Sequence, residues 1–282
     1  MATTTEAPDV EPRTLRAQTS RLNSGGIGCT SGAAVELAGL AHGFGELEVI
    51  AGIELGVEAG EVVGVVGPSG CGKSTLLELI AGLLDPSAGR IAVGGRPAAD
   101  ERLARCVYMP QRDLLLPWLS ALDNAALAPR SRGASRAAAR AEAAPLFERF
   151  GLAGFESARP DELSGGMRQR VAFLRTLLAA KPVLLLDEPF ASLDAISRAE
   201  MQEWLAGALA EQPATALLVT HDVEEALYLC DRVLVLSARP ARLVAAVTAP
   251  SPRSAPRLEA VTSPAFTRAR ERALEALAEG AR

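Results

Sequence analysis

The sequence predicts an α/β fold built on a mainly parallel β-sheet. Three short, largely apolar runs have the composition of strands that are buried on both faces of such a sheet: 62–66, 183–186 and 215–219. The first two runs are followed by segments with helical spacing, and repeated strand–helix units are typical of parallel sheets. Lys73, Asp187 and His221 follow the three strands, so we expect them along one edge of the sheet.

Composition excludes several classes of protein. The chain has 282 residues, of which 49% are apolar and 22% charged, which is enough to form a buried core. Its net charge of −5 argues against a nucleic-acid-binding surface. Four cysteines without a C-x-x-C pair indicate free thiols in a reducing compartment. We find neither an apolar run of membrane-spanning length nor the pattern of a signal peptide, and therefore expect any membrane role to depend on a partner.

Three regions of different composition divide the chain. Residues 1–33 are rich in Thr, Pro, Ser and Gly and predict a disordered N-terminal extension. Residues 34–249 carry the strand and helix patterns and are predicted to form the folded domain. Residues 250–282 combine a Pro- and Ser-rich linker, over 250–264, with a short accessory helix. The apolar face of that helix is predicted to contain Phe266, Ala273, Leu274 and Leu277.

The first part of the folded domain has the pattern of a small antiparallel β-sheet. Short alternating segments at 35–37, 49–50 and 53–57 are separated by a turn that contains glycine. Phe44 lies in that turn, where an exposed aromatic ring could stack on a nucleotide base. An aromatic residue in such a turn more often serves local packing, and the pattern by itself leaves both interpretations open.

A glycine-rich turn joins the first buried strand to a helix predicted over 75–83. It matches the pattern G-x-x-x-x-G-K-[ST] and consists of Gly67, Pro68, Ser69, Gly70, Cys71, Gly72, Lys73, Ser74 and Thr75. In this pattern backbone N–H groups surround a polyphosphate, the lysine reaches the β- and γ-phosphates, and the hydroxyl binds Mg²⁺. Lys73 is one of only two lysines among 29 basic residues, which favours a specific role for its compact charge. A turn that binds nothing is the less favoured alternative.

An inserted helical region interrupts the strand–helix repeats. The stretch 114–160 is rich in Ala, with Arg and Glu at helical spacing, and we assign a helical subdomain to about residues 112–165. Gln111 precedes it, at the end of a strand predicted at 106–109. A serine N-cap with two glycine N–H groups then begins a long helix. This motif consists of Ser164, Gly165 and Gly166. It predicts either a second anion-binding site or an ordinary helix cap.

Polar residues follow the second and third buried strands. Asp187 and Glu188 lie where an α/β sheet binds its ligand. Asp187 is therefore a candidate oxygen ligand of Mg²⁺, and Glu188 a candidate base that polarises a water for attack on a γ-phosphate. His221 could donate a hydrogen bond to phosphate. A solvated strand end and a structural histidine are the alternatives.

With these motifs in one chain, the sequence from about Val35 to Val247 resembles the ATP-binding cassette of ABC transporters, because six motifs occur in the order and with the spacing of that family. The resemblance implies a P-loop NTPase fold: a RecA-like parallel-sheet core, a small antiparallel β subdomain and an inserted α-helical subdomain. It also implies ATP and Mg²⁺ as the ligands of the site.

The resemblance assigns nucleotide-binding roles to several motifs. Phe44 resembles the aromatic residue that stacks on adenine, and the turn from Gly67 to Thr75 resembles the Walker A loop. Met167 stands where the signature sequence of the family most often has Gln. Ser164, Gly165 and Gly166 resemble part of the signature sequence. Asp194 resembles a residue of the loop that crosses the interface of the cassette dimer.

Roles in hydrolysis follow from the same resemblance. Gln111 resembles the glutamine that senses Mg²⁺ and the attacking water and also contacts the transmembrane partner. Asp187 and Glu188 resemble the Walker B acid and the catalytic base, and His221 resembles the switch histidine. The expected ligands of Mg²⁺ are then Ser74, Gln111 and Asp187.

Within the family, two stretches are similar to the cassettes of nitrate, sulfonate, taurine or pyrimidine-precursor importers. They are 187–190 and 115–119, the second of which is followed by Asn124. The resemblance implies a peripheral subunit on the cytoplasmic face of the inner membrane, with a separate permease and a solute-binding protein as partners. It also implies a head-to-tail pair of cassettes, expected to be a homodimer, in which each signature sequence closes the other chain's ATP site.

Three other functions are less favoured. Soluble ABC-type ATPases of DNA repair or translation usually carry coiled coils, zinc modules or tandem cassettes, and this chain has one cassette and no cysteine pair. A regulatory subunit without turnover would have no need of both Glu188 and His221. A nucleotide kinase would share Lys73 and Ser74 but not the stretch from Leu163 to Gln169.

Overall fold

The computed structural model describes residues 32–211, 214–250, 253 and 256–281. The disordered extension predicted over 1–33 thus lies outside the described residues, except for its last two. Of these, Ala33 is buried and belongs to the core around the antiparallel sheet. The folded part therefore includes at least one residue before the predicted start at 34.

The central sheet has six strands in the order β5-β6-β7-β3-β8-β9. All neighbours pair in parallel except β8 and β9, which are antiparallel. Every residue of β3, β6 and β7 is buried, as their apolar composition predicted. The strands are β3 (Val62–Val66), β5 (Cys106–Met109), β6 (Val183–Asp187), β7 (Thr215–Val219), β8 (Arg232–Leu236) and β9 (Leu243–Thr248).

A second, antiparallel sheet has the order β2-β1-β4. Its strands are β1 (Val35–Phe44), β2 (Leu47–Val57) and β4 (Ala88–Val93). The predicted short segments are thus parts of one long hairpin, whose turn contains Gly45 at a φ of +60°. The hairpin brings Phe44 to the same region as the turn after β3.

Helices cover the sheets and fill the inserted region. Helix α1 begins at Lys73, two residues before the predicted start, and ends where Gly82 adopts a left-handed conformation. The inserted region contains three helices and a 3₁₀ turn at Pro160–Glu162, and Ser164 caps the next helix through the N–H of Met167. The helices up to β8 are α1 (Lys73–Ala81), α2 (Ala99–Arg105), α3 (Ala121–Ala125), α4 (Leu127–Ser131), α5 (Arg136–Arg149), α6 (Gly165–Leu177), α7 (Ala195–Glu211) and α8 (Val223–Leu229).

The described residues after β9 contain two helices, where one was predicted. Helix α9 (Arg257–Thr262) forms inside the predicted linker, and α10 (Pro264–Gly280) packs on α8, β8 and β9. The predicted apolar face is wrong at Leu274, which is 50% exposed. Successive residues of a helix are about 100° apart, so Leu274 lies on a different side of the helix from its neighbour, the buried Ala273. The side that packs on the domain is formed mainly by small alanines. The buried residues of α10 are Phe266, Ala269, Ala273 and Ala276.

None of the helices in the described part of the chain combines the length and the hydrophobicity needed to span a lipid bilayer.

Candidate active site

A cavity of about 390 Å³ lies at the carboxyl edge of the parallel sheet. It is bounded by the turn after β3, the ends of β5 and β6, and the β1–β2 hairpin. Ten residues that the sequence marks as candidates line it: Phe44, Ser69, Gly70, Gly72, Lys73, Ser74, Thr75, Gln111, Asp187 and Glu188. A second cavity, of about 510 Å³ near Arg105 and Lys181, contains none of them.

The glycine-rich turn folds around the ammonium group of Lys73. The Nζ atom donates to the carbonyl oxygens of Gly67 and Pro68 at 2.8 and 2.9 Å, and the residue is only 8% exposed. Gly72 has a φ of +119°, and a Cβ atom there would lie 2.8 Å from Val49 Cγ1, so the turn requires glycine at this position. A buried cation within a backbone turn is suited to bind an anionic ligand.

Asp187 ends β6 beside the start of α1. Tyr108 Oη donates to its Oδ2 at 3.2 Å, and Ser74 also hydrogen-bonds to the carboxylate. Burial raises the pKa of Asp187 above its usual value, and these hydrogen bonds oppose the shift only in part. Burial and the neighbouring Asp187 also raise the pKa of Tyr108, which therefore remains a donor at neutral pH.

Glu188 connects three strand ends. Its Oε2 atom accepts a hydrogen bond from Gln111 Nε2 at 3.2 Å and lies 3.3 Å from Nδ1 of His221. Its backbone φ is +48°, an uncommon conformation for a residue with a side chain, and its N–H donates to Val219 O at 2.8 Å. The structure thus brings together the three residues proposed for the hydrolytic step.

The other predicted residues lie outside the cavity lining. Gly67 and Pro68 contribute carbonyl groups to Lys73, whereas Cys71 is 1% exposed and packs into the core. Asp194 Oδ1 accepts from the N–H groups of Ile196 and Ser197 at 3.1 and 3.0 Å, which makes it a cap of helix α7. The signature residues Ser164, Gly165 and Gly166 also lie outside the lining of this cavity.

Phe44 is 51% exposed and lines the cavity. Its ring contacts His42 edge-on, with 4.8 Å between ring centroids, so that local packing accounts for only part of its surface. Of the two interpretations that the sequence left open, the position of Phe44 beside the glycine-rich turn favours stacking on a base.

Sequence reasoning missed two polar residues of the site. Tyr108 contacts Asp187, and Arg239 lines the cavity while donating to Gly70 O from Nε and Nη2 at 3.1 and 2.5 Å. Arg239 could have been found, since it lies just beyond a strand predicted at 233–236. The carboxyl end of that strand belongs to the same sheet edge as the other site residues.

The residues of the site fit a magnesium ion held together with phosphate oxygens. The described residues contain no group of three or more His, Cys, Asp or Glu side chains that could hold a metal by themselves. Ser74 and Asp187 offer neighbouring oxygen atoms, which are the ligands that Mg²⁺ prefers, and Mg²⁺ is commonly bound through one or two carboxylates plus substrate phosphates.

Comparison with known proteins identifies the family. The family model described as ABC transporter matches residues 50–191. The chain is 50% identical to the aliphatic sulfonates import ATP-binding protein SsuB 1 of Rhodococcus jostii over 203 residues, 72% of this chain and 79% of that protein. It is 44% identical to the taurine import ATP-binding protein TauB of Burkholderia pseudomallei over 201 residues, 71% of this chain and 77% of that protein.

A solved structure agrees with this result. The ATP-binding cassette MJ0796, in a dimeric post-hydrolysis state bound to ADP and phosphate, has a TM-score of 0.69 and 28% identity. The match covers 76% of this chain and 98% of that chain. The fold and the site define an ATP-binding P-loop ATPase. Within that class, the chain belongs to the ABC transporter family.

Proposed function

We propose that this protein is the ATP-hydrolysing subunit of an importer for a small sulfonate-, taurine- or nitrate-like solute. One observation supports the hydrolytic part above all: a single cavity combines Lys73 with Asp187, Glu188 and Gln111. The relatives named above are ATP-binding proteins of sulfonate and taurine import, which favours transport over a role in DNA repair or translation.

In this proposal each side chain has a defined role, and Gln111 has two. Lys73 binds the β- and γ-phosphates, and Phe44 stacks on the adenine base. Glu188 orients the attacking water and accepts its proton, while His221 and Gln111 hold the carboxylate in place. Ser74, Gln111 and Asp187 would hold Mg²⁺, which would supply charge neutralisation at the phosphate oxygens.

We further propose that two copies pair head to tail. The signature residues Ser164, Gly165 and Gly166 do not line the cavity of their own chain, which is consistent with a second cassette supplying them. Asp194 would then contact the partner cassette. A Glu188→Gln variant that stays monomeric at saturating ATP would contradict this part of the proposal.

The partner in the membrane is proposed to be a separate permease, which places the protein at the cytoplasmic face. Trp118 is 68% exposed in the loop that follows Gln111, and aromatic residues such as Trp are enriched at protein interfaces relative to the rest of the surface. The loop is held by the buried amide of Asn124, whose Nδ2 donates to Leu116 O at 3.1 Å and Leu119 O at 3.3 Å. A fixed loop with an exposed ring is suited to dock on the permease.

A pull-down of the tagged protein from native membranes in mild detergent tests the transport role. We expect a multi-span permease without an ATPase of its own, together with a solute-binding protein. The variant Trp118→Ala should recover less permease while still binding ATP, whereas Phe155→Ala, an exposed aromatic outside the cavity lining, serves as control. Recovery of wild type with ribosomes or nucleic acid and no permease would contradict the proposal.

A further inference from the structure

Arg239 reaches from one side of the sheet edge to the phosphate-binding turn. It lies in the loop between β8 and β9, and its Nε and Nη2 atoms both donate to the carbonyl oxygen of Gly70. A guanidinium group carries five N–H donors, so donation to a single carbonyl leaves others able to face the cavity. Arg239 is exposed, and it lines that cavity beside Ser69 and Gly72.

The charge of the cavity makes this second cation important. Lys73 and Arg239 are the positively charged residues of its lining, which also contains the carboxylates of Asp187 and Glu188. Without Arg239 the lining would carry more negative than positive charge, although the ligand is a polyanion. The contact also fixes the peptide group between Gly70 and Cys71, which belongs to the turn that surrounds the phosphates.

The loop that carries Arg239 is held by two other parts of the chain. Ala241 N donates to Val49 O at 2.8 Å, and Ala51 N donates to Ala241 O at 3.0 Å, which ties the loop to strand β2. On the other side, Ala238 N donates to Gly280 O at 2.7 Å, at the last turn of helix α10.

The last turn of α10 lies tightly against this loop. A Cβ atom at Gly280 would lie 3.2 Å from both Ser237 Cα and Val244 Cγ2, closer than side chains normally approach. A continuous series of contacts therefore runs from the end of α10 through Ala238 and Arg239 to Gly70.

We propose that Arg239 is a nucleotide-positioning residue, which fixes the phosphate-binding turn and adds a positive charge toward the phosphates of ATP, and that helix α10 sets its position. This inference rests on the proposed function, because it assigns a residue and a coupled helix to the same ATP site. The accessory helix thereby becomes a means of tuning ATP affinity.

Substitutions of Arg239 test the first part by separating KM from kcat. We expect Arg239→Ala to raise the Kd of a fluorescent ATP analogue and the KM for MgATP about five- to tenfold, with kcat changed less than about threefold. Arg239→Lys keeps the positive charge but lacks the planar guanidinium group with its several N–H donors. This variant should therefore bind ATP more tightly than Arg239→Ala but less tightly than wild type. The salt dependence of Kd should become weaker in Arg239→Ala, since one cation no longer faces the ligand.

Arg242→Ala is the matched control. Arg242 belongs to the same loop and donates to Ala51 O at 3.3 Å, but it does not line the cavity. An Arg239→Ala variant with wild-type Kd and KM would overturn the inference alone. A wild-type protein that does not bind ATP would overturn the proposed function together with it.

A substitution in α10 tests the second part. Gly280→Val should press on Ser237 and raise the Kd for ATP, and combining it with Arg239→Ala should add little further loss, because both act through one contact. Gly207→Val is the control for valine in a helix, since a Cβ atom there meets open space. If Gly280→Val lowers the Tm but leaves the Kd unchanged, α10 does not set the position of Arg239.

Discussion

The Nδ1 atom of His221 lies 3.3 Å from Oε2 of Glu188, the carboxylate oxygen that also accepts a hydrogen bond from Gln111. Residues from the ends of three different strands therefore meet at one oxygen. Since Glu188 has a positive φ and its N–H is bound to Val219, the backbone of β6 and β7 determines where this oxygen lies.

Replacing the proposed base should separate binding from turnover. Glu188→Gln keeps the size and the contacts of the side chain but removes its basicity, so we expect ATP turnover to fall about 100-fold or more while ATP binding persists. Phosphate release and nucleotide binding measure the two properties. Glu271→Gln, on the exposed face of α10, should leave both unchanged. Near-normal turnover in Glu188→Gln would exclude Glu188 as the base.

The contact between His221 and Glu188 should make their substitutions non-additive. His221→Ala alone is expected to lower turnover by about tenfold, because the carboxylate loses a positioning contact. In the double variant with Glu188→Gln, turnover should be close to that of Glu188→Gln alone. If the fold-decrease in turnover of the double variant equals the product of the two single decreases, the two residues act independently.

Phe44 should contribute to binding of the adenine base. Stacking of a base on an aromatic ring is worth about 1–3 kcal/mol, so Phe44→Ala should raise the Kd for ATP by about tenfold. Phe44→Tyr should bind as wild type does, because it keeps the ring. Binding of inorganic triphosphate provides the second measurement. Because this ligand has no base, its Kd should be the same for wild type and Phe44→Ala. An equal loss for ATP and triphosphate would point to a disturbed turn rather than to lost stacking.

The loop that presents Trp118 should depend on the buried amide of Asn124. Asn124 is fully buried, and its Oδ1 accepts from Leu116 N at 2.8 Å while its Nδ2 reaches three backbone carbonyls. Asn124→Ala leaves these groups without partners and should lower the free energy of unfolding by about 2–3 kcal/mol in urea. Ser131→Ala, which removes one exposed hydrogen bond, should change it by less than about 0.5 kcal/mol.

Glu225 should make stability depend on pH. It is 3% exposed, and burial raises its pKa to about 7 from 4.5 despite hydrogen bonds from Thr220 and Gln202. A raised folded-state pKa means that its stabilising contribution is complete below about pH 4.5 and is lost as the pH rises through about 7.

The variant Glu225→Gln tests this effect. Wild type should lose stability relative to Glu225→Gln between about pH 5 and 8, by an amount on the order of 2–3 kcal/mol in urea unfolding. The exposed-site control Glu271→Gln should follow wild type at every pH. Parallel curves for wild type and Glu225→Gln would show that Glu225 does not titrate in this range.

Much of the site could be predicted because it depends on residues that are close in sequence. The turn from Gly67 to Thr75 carries its glycines, its lysine and its hydroxyl within nine residues, and flanking patterns identify the strand and the helix. The convergence of Gln111 and His221 on Glu188 is different. The residue types indicated a shared sheet edge, but the order of the strands decided that they meet at one oxygen.

Two predictions, the burial of Leu274 and the linker over 250–264, were wrong because tertiary packing outweighs the local sequence pattern there. Leu274 has the hydrophobicity of a core residue, yet the buried side of α10, which packs on α8, β8 and β9, consists of alanines and Phe266. Helix α9 forms within a segment whose prolines predicted a linker, because Arg257 bonds to Gln202 and Glu224 on neighbouring helices. Neither partner can be deduced from the linker's own sequence.

The sequence by itself therefore determined the fold class and the phosphate-binding turn, since each depends on a short local pattern, and resemblance to a family marked the candidate acid, base and switch residues. Only the tertiary structure decided that Arg239 contacts Gly70, 169 residues away, and that the end of α10 contacts the loop holding Arg239. The physical reason is that such contacts depend on which strands are neighbours and on how closely helices pack. Both properties belong to the folded chain as a whole.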